Sequence, residues 1–167
     1  AALVAVVALS VGWGWQRQMS VEHASYLTAM GTLQTVPLSD GSSAVLSSDS
    51  QMQVALSRNE RRIGLDRGEA FFEVSKDPKR PFVVSVGGRQ VVAVGTRFSV
   101  RRDGADLRVV VTEGTVRLEP SASSSGRTPT TLLQAGSVAH ATSKGLLVRT
   151  GTVEEAERQV DWRGGYL

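Results

Sequence analysis

A chain of 167 residues, 41% hydrophobic, has room for one ordinary core and some appendages. It holds no cysteine, which excludes disulfide staples, thiolate metal sites and cysteine nucleophiles. The net charge of +3 comes from arginines spread along the chain, densest at Arg58, Arg61 and Arg62 and again at Arg101-Arg102; with only 5% aromatic residues this reads as solvated strand edges and turns, not as a nucleic-acid footprint.

The elements follow in chain order. Ala1 to Trp15 carries no charge, and the first charge is Arg17. The run is shorter than a full span of about 20 residues, so residues 1–18 are read as the C-terminal part of a transmembrane helix, with Trp13 and Trp15 at the interface. A buried core helix or a signal-peptide core are the other readings. A short polar connection holding Glu22 and His23 leads to Tyr26-Leu27-Thr28, where the sheet region is expected to begin.

Gly31 to Leu38 reads as a strand with Pro37 at its end, turned by Ser39-Asp40-Gly41 into Val45-Leu46. Met52, Val54 and Leu56 alternate with polar or small partners, and Asn59-Glu60 turns into a strand at Ile63 and Leu65. Asp66-Arg67-Gly68 predicts another turn before Ala70 to Val74, whose adjacent Phe71 and Phe72 must lie on opposite faces. Phe82, Val84 and Val86 form the next strand, and Gly87-Gly88 a hairpin into Val91 to Val94. Arg97 to Arg102 pairs through Asp103-Gly104 with Leu107, Val109 and Val111, and Glu113-Gly114 turns into Val116 to Leu118.

Pro120 to Thr130 is a flexible, low-complexity loop. Leu132 to Val138 and Gly145 to Val148 read as a final hairpin, and Val153 to Val160, acidic at its start, as a short helix. Asp161 to Leu167 reads as the start of a new strand. The expected fold is therefore all-β: a compact antiparallel β-sandwich or roll of about ten short strands, preceded by a truncated transmembrane helix and followed by a short helix. The expected units are a membrane segment (1–18), a β domain (19–150) and a linker helix with the start of a further subdomain (151–167).

Catalytic chemistry finds little purchase. Glu69, Glu73 and Glu113 are the candidate carboxylates, but Glu69 and Glu113 flank glycines at strand boundaries, where a structural role is the stronger reading. His23 and His140 lack partners at ligand spacing, Asp103 and Asp106 do not follow a calcium loop, and no Gly-x-Ser-x-Gly elbow occurs. No cofactor is expected, and the chain reads as a non-enzyme.

Six motifs in order carry a resemblance: Gly31-Thr32; Leu38-Ser39-Asp40-Gly41-Ser42; Gly68-Glu69-Ala70-Phe71-Phe72-Glu73-Val74; Arg80-Pro81-Phe82-Val83-Val84; Gly95-Thr96-Arg97-Phe98-Ser99-Val100; and Glu113-Gly114-Thr115-Val116. From Tyr26 to Leu118 the series resembles the periplasmic domain of FecR-type anti-sigma factors, departing at Ser39, where the family usually has proline. Trp162-Arg163-Gly164-Gly165 resembles the start of that family's C-terminal subdomain, similar to the short N-terminal signalling fold of secretins and TonB-dependent transducers.

The resemblance implies a single-pass inner-membrane protein of Gram-negative bacteria with its main domain in the periplasm. Its implied partners are an extracytoplasmic-function sigma factor, held by a cytoplasmic domain, and an outer-membrane TonB-dependent transducer, often one importing ferric siderophores. Periplasmic or intramembrane proteases would read out the state of the stretch Gln16 to Ser25. Trp162, Tyr166 and Leu167 are the residues expected toward the partner. The alternative function is a periplasmic β-sandwich module binding peptidoglycan or another glycan, which needs an exposed aromatic platform such as Trp162 or Tyr166.

Overall fold

The computed structural model describes residues 21–121 and 129–165. Residues 1–18, most of the 120–130 loop, Tyr166 and Leu167 therefore lie outside the described part. In chain order the strands are β1 (Glu22–Leu27), β2 (Gln34–Pro37), β3 (Ser43–Leu46), β4 (Gln51–Leu56), β5 (Arg61–Glu73), β6 (Phe82–Val86) and β7 (Arg89–Ala93). They continue as β8 (Arg97–Asp103), β9 (Asp106–Glu113), β10 (Thr115–Pro120), β11 (Thr131–Gln134), β12 (Ser137–Thr142) and β13 (Gly145–Thr150). A helix, α1 (Val153–Gln159), and a 3₁₀ turn, Asp161–Gly164, close the described chain. Among the described residues no helix is long and apolar enough to cross a membrane.

The strands form two layers. One has the order β1-β4-β5-β6-β7-β10-β11 and the other β2-β3-β5-β8-β9-β12-β13. Strand β5 belongs to both: Arg61 to Arg67 pairs with β4, and Gly68 to Glu73 pairs with β3 and β8. Between the layers lie Phe72, Phe82 and Phe98 with Leu46, Met52, Ile63, Leu65, Leu118 and Leu133, all essentially inaccessible. The Phe72 ring meets Phe82 edge-on at 5.5 Å and Phe98 at 5.4 Å, separations at which aromatic rings attract.

The all-β expectation holds, and the structure corrects several details. The turn expected at Asp66-Arg67-Gly68 is a bend within one 13-residue strand. Gly68 supplies it with φ of +86°, and a Cβ there would stand 2.2 Å from the Ser50 hydroxyl oxygen. The fully buried Ser50 side chain accepts from the Glu69 amide at 3.0 Å and donates to the Glu69 carbonyl at 3.1 Å, replacing ladder bonds where β5 leaves β4. Strand β6 runs parallel to β5, from Arg61↔Phe82 to Gly64↔Ser85. The long return through Asp77-Pro78 permits this, since a parallel neighbour cannot be reached by a tight hairpin.

Glu22 to Ser25, expected as a connection, lies in β1 and pairs with β4. The final hairpin is β12–β13, while β11 joins the first sheet beside β10. Asp161–Gly164, expected to open a strand, is a 3₁₀ turn that continues from α1.

Candidate functional site

Two polar assemblies distinguish the molecule, one at an end of the sandwich and one on the outer face of the second sheet. The first is centred on Arg61, which the sequence places in a solvated arginine group and which is fully buried. Its Nη1 donates to Asp40 Oδ2 at 2.9 Å and to the Ser75 carbonyl at 3.0 Å, and its Nε donates to the Arg80 carbonyl at 2.6 Å. Its guanidinium carbon lies 5.5 Å from the centre of the Phe82 ring. Asp40 is held from its own turn by the Ser42 hydroxyl at 2.7 Å and the Ser42 amide at 3.1 Å, while the Ser42 hydroxyl accepts from the Ser75 amide. Burial pushes the Asp40 carboxyl up, but the hydrogen bonds from Ser42 and Arg61 and the Arg61 charge outweigh it and hold the group below the ordinary aspartate range. One buried cation thus ties together the Leu38–Ser42 turn, the chain at Ser75 just past the Gly68–Val74 motif, and the Arg80–Val84 motif.

The second assembly fastens the C-terminal segment. Strand alternation turns Phe71 away from Phe72 to the outer face, as the sequence predicts, where Val110 and Val138 join it. Ala156 and Val160 of the C-terminal segment cover this patch, flanked by Val45 and Trp162. The helix starts on a capping box: the Thr152 hydroxyl accepts from the Glu155 amide, and the Glu155 carboxylate accepts from the Thr152 amide, both at 3.1 Å.

The buried Glu69 carboxylate is the latch. Its Oε1 accepts from the Ser99 hydroxyl at 2.7 Å and from the Trp162 indole N–H at 3.1 Å. Arg163 stacks 4.3 Å over the Phe71 ring and donates to Glu157. An indole clamped in this way is half-buried and committed, so Trp162 is not the exposed platform that glycan stacking requires.

The remaining candidates are dispersed. Glu113 is exposed and pairs with Arg97, and Glu73 is exposed at the register position opposite Arg97. Glu69 stands apart from both, bound to Ser99 and Trp162. His23 is on β1 in one sheet and His140 on β12 in the other. Among the described residues no three His, Asp or Glu side chains gather as a metal-holding group. The chemistry of these assemblies is therefore that of holding and fastening. Reasoning from the sequence missed the Arg61–Asp40 pair and the capping box; only the second has a local signal, a Thr three positions before a Glu.

Residues 24–117 match the family described as FecR protein. Two crystal structures, each of a candidate anti-sigma factor from Parabacteroides distasonis and determined at 2.50 and 1.65 Å, share this fold. Their TM-scores are 0.74 and 0.70 at 21% and 20% sequence identity, over 86% and 82% of this chain. The match takes in 66% and 64% of those two chains, so this chain spans somewhat less than two thirds of their length. No curated protein sequence matches it.

Proposed function

Because the chain belongs to the FecR protein family, with residues 24–117 matched, we propose that it is the periplasmic signal-relay domain of a single-span inner-membrane anti-sigma factor. In this reading it couples an outer-membrane TonB-dependent transducer to an extracytoplasmic-function sigma factor, in the service of iron or siderophore uptake. The family match carries the proposal. The fold shared with the Parabacteroides distasonis proteins supports it, as does the charge-free run at Ala1 to Trp15, placed by this reading in the inner membrane.

The body suits a relay. The described chain begins on an edge of the first sheet, at β1, and leaves across the outer face of the second, through α1. A binding event at either end alters signalling only if it favours one of two states of the whole. The latch of Glu69 on Trp162 is a place where two states can differ: clasped, it fixes the direction in which the chain continues; released, it leaves that segment free to turn. A protease acting within Gln16 to Ser25 would have to cut ahead of Glu22 or strip β1 from β4, because Glu22 to Ser25 are strand residues.

The test uses the full-length gene product in bacteria with a sigma-dependent reporter. Co-purification with the signalling domain of a TonB-dependent transducer, and reporter output that follows transducer state, are the expected results. Retention on purified cell wall without any transducer contact would replace this reading with the glycan-binding module. Deletion of residues 16–21 with signalling intact would remove the proteolytic step.

A further inference from the structure

The four outer strands of the two sheets are not equally guarded. Strand β2 carries Pro37, β11 has only four residues, and β1 opens with Glu22 and His23. Charge, proline and brevity are the devices that keep a strand edge from pairing with foreign chains. Strand β13 has none of them over Gly145 to Val148, and its only charge is Arg149. It pairs with β12 alone among the described residues, from Ser137↔Thr150 to Thr142↔Gly145. Leu147 is 62% and Val148 37% exposed. An edge six residues long can hold a strand of about 20 Å.

Two clefts beside this edge carry four arginines between them, Arg149 and Arg158 in one and Arg101 and Arg108 in the other. A cleft of about 420 Å³ between α1 and the β12–β13 hairpin is lined by His140, Arg149, Glu155, Arg158 and Gln159. Its one carboxylate, Glu155, is engaged in the capping box. Arg149 has no carboxylate within ion-pair distance among the described residues, while hydrogen bonds from its own amide and Thr152, and then the charge of Arg158, hold the neighbouring Glu154 carboxyl below its ordinary range. His140 also borders a second cleft of about 240 Å³ with Arg101, Asp103, Asp106 and Arg108. There Arg108 Nε is buried without a hydrogen-bond partner, and Arg101 faces the exposed Asp103 at 3.8 Å. The register fixes the pattern along β13: Leu147 stands opposite His140, and Arg149 opposite Val138. Because side chains alternate along a strand, a strand added beyond β13 would set every second side chain beside Leu147 and Arg149.

We propose that the open edge of β13 binds an extended, acidic segment of a partner protein as an eighth strand of the second sheet, with its carboxylates on the face of Arg149 and Arg158 and its apolar side chains on the opposite face, beside Val148. Backbone pairing supplies affinity in this mode, and the facing side chains supply selectivity. Arg149, with Arg158 beside it, selects acidic over basic strands and raises the association rate. The proposal is independent of the relay reading: it concerns a surface of the body that any acidic strand can reach, whatever signal the chain carries.

The test is an NMR titration of the full 167-residue chain, isotope-labelled in detergent micelles. The probe is an acetylated eight-residue peptide of alternating glutamate and valine. The expected result is chemical-shift change concentrated on β13 amides and on Gly151 and His140. The charge-reversed pair Arg149→Glu with Arg158→Glu, at two exposed positions, should weaken binding roughly tenfold or more. A lysine–valine peptide, and the acidic peptide N-methylated at alternate residues, should leave the spectrum unchanged. Equal binding of the N-methylated peptide would reduce the site to a charged patch and overturn strand addition. Shifts centred on β1 or β11, or no shifts at millimolar peptide, would overturn the site itself. Concentration-dependent shifts of β13 amides without peptide would give the edge to a second copy of the chain. Protection of those amides in the peptide-free, full-length gene product would give it to later residues of the same protein. Either of these last two results also overturns the proposal.

Discussion

Asp40 and Arg61 are 21 positions apart in sequence and 2.9 Å apart in space, with side chains 2% and 0% exposed. Removing one partner of such a pair strands the other charge in the interior, which typically costs about 3–5 kcal/mol. Asp40→Ala is therefore expected to lower the urea midpoint steeply, with the slope of the transition unchanged. The same pair gives a pH signature. The folded Asp40 carboxyl titrates below the ordinary value of about 3.9 that it has when unfolded. Its contribution is complete above that ordinary value and is lost as pH falls through the lower folded one. Urea midpoints measured from pH 7 downward should hold until about pH 4 and then fall, and Asp40→Asn should flatten that acid limb. The sequence showed Asp40 as a turn residue and Arg61 as one of three nearby arginines. The turn chemistry was legible because it is local, whereas the pairing was not, because no spacing rule joins a turn aspartate to an arginine two strands further along the chain. Arg62 shows the contrast: one position along, its side chain is 53% exposed and meets Glu60 on the surface.

At the scale of the element, β5 is the informative strand. Its bend rests on Gly68, where any other side chain meets both a left-handed φ and the Ser50 backbone at 2.6 Å. Gly68→Ala should destabilise by roughly 2–4 kcal/mol, strain and overpacking together, as read from urea unfolding. A milder outcome would mean that the strand can bend elsewhere. For α1, Thr152→Ala removes one half of the capping box and should cost about 1 kcal/mol, seen as faster amide exchange in the helix with the sandwich unchanged. The strands themselves were legible from their alternation and glycine turns. The continuity of β5 was not, because an Asp-Arg-Gly triplet serves equally for a hairpin and for a bend. Nor was its parallel neighbour, since pairing direction is set by where the chain returns and leaves no periodic mark. The 3₁₀ turn at Asp161–Gly164 escaped for a related reason: Trp162 reads as a strand residue by propensity, and its contact with Glu69, 93 positions earlier, decides its conformation.

Across the whole molecule, the candidate site proved to be a seam between the body and its C-terminal segment. Trp162 was legible as a residue to watch, but not as a ligand of Glu69, and Glu69 itself was legible only as a structural carboxylate. Trp162→Phe keeps one aromatic ring and deletes the indole donor. The helix and 3₁₀ turn should loosen by about 1 kcal/mol or somewhat more, with hydrogen exchange in α1 rising several-fold while strands β5, β8 and β9 stay protected. Global unfolding by the same substitution would make the seam part of the core and remove it as a switch point.

A strand shared by both layers also limits how force can pass through the protein. Because β5 is the spine of each sheet, neither layer can melt and leave the other standing, so the sandwich should yield as one cooperative block. A tug arriving at either terminus must then peel a margin, β1 from β4 or α1 from its apolar seat, while the interior stays whole. The mechanical fuse of this molecule lies in its selvage, and single-molecule pulling should record small early extensions from the borders before one large rupture.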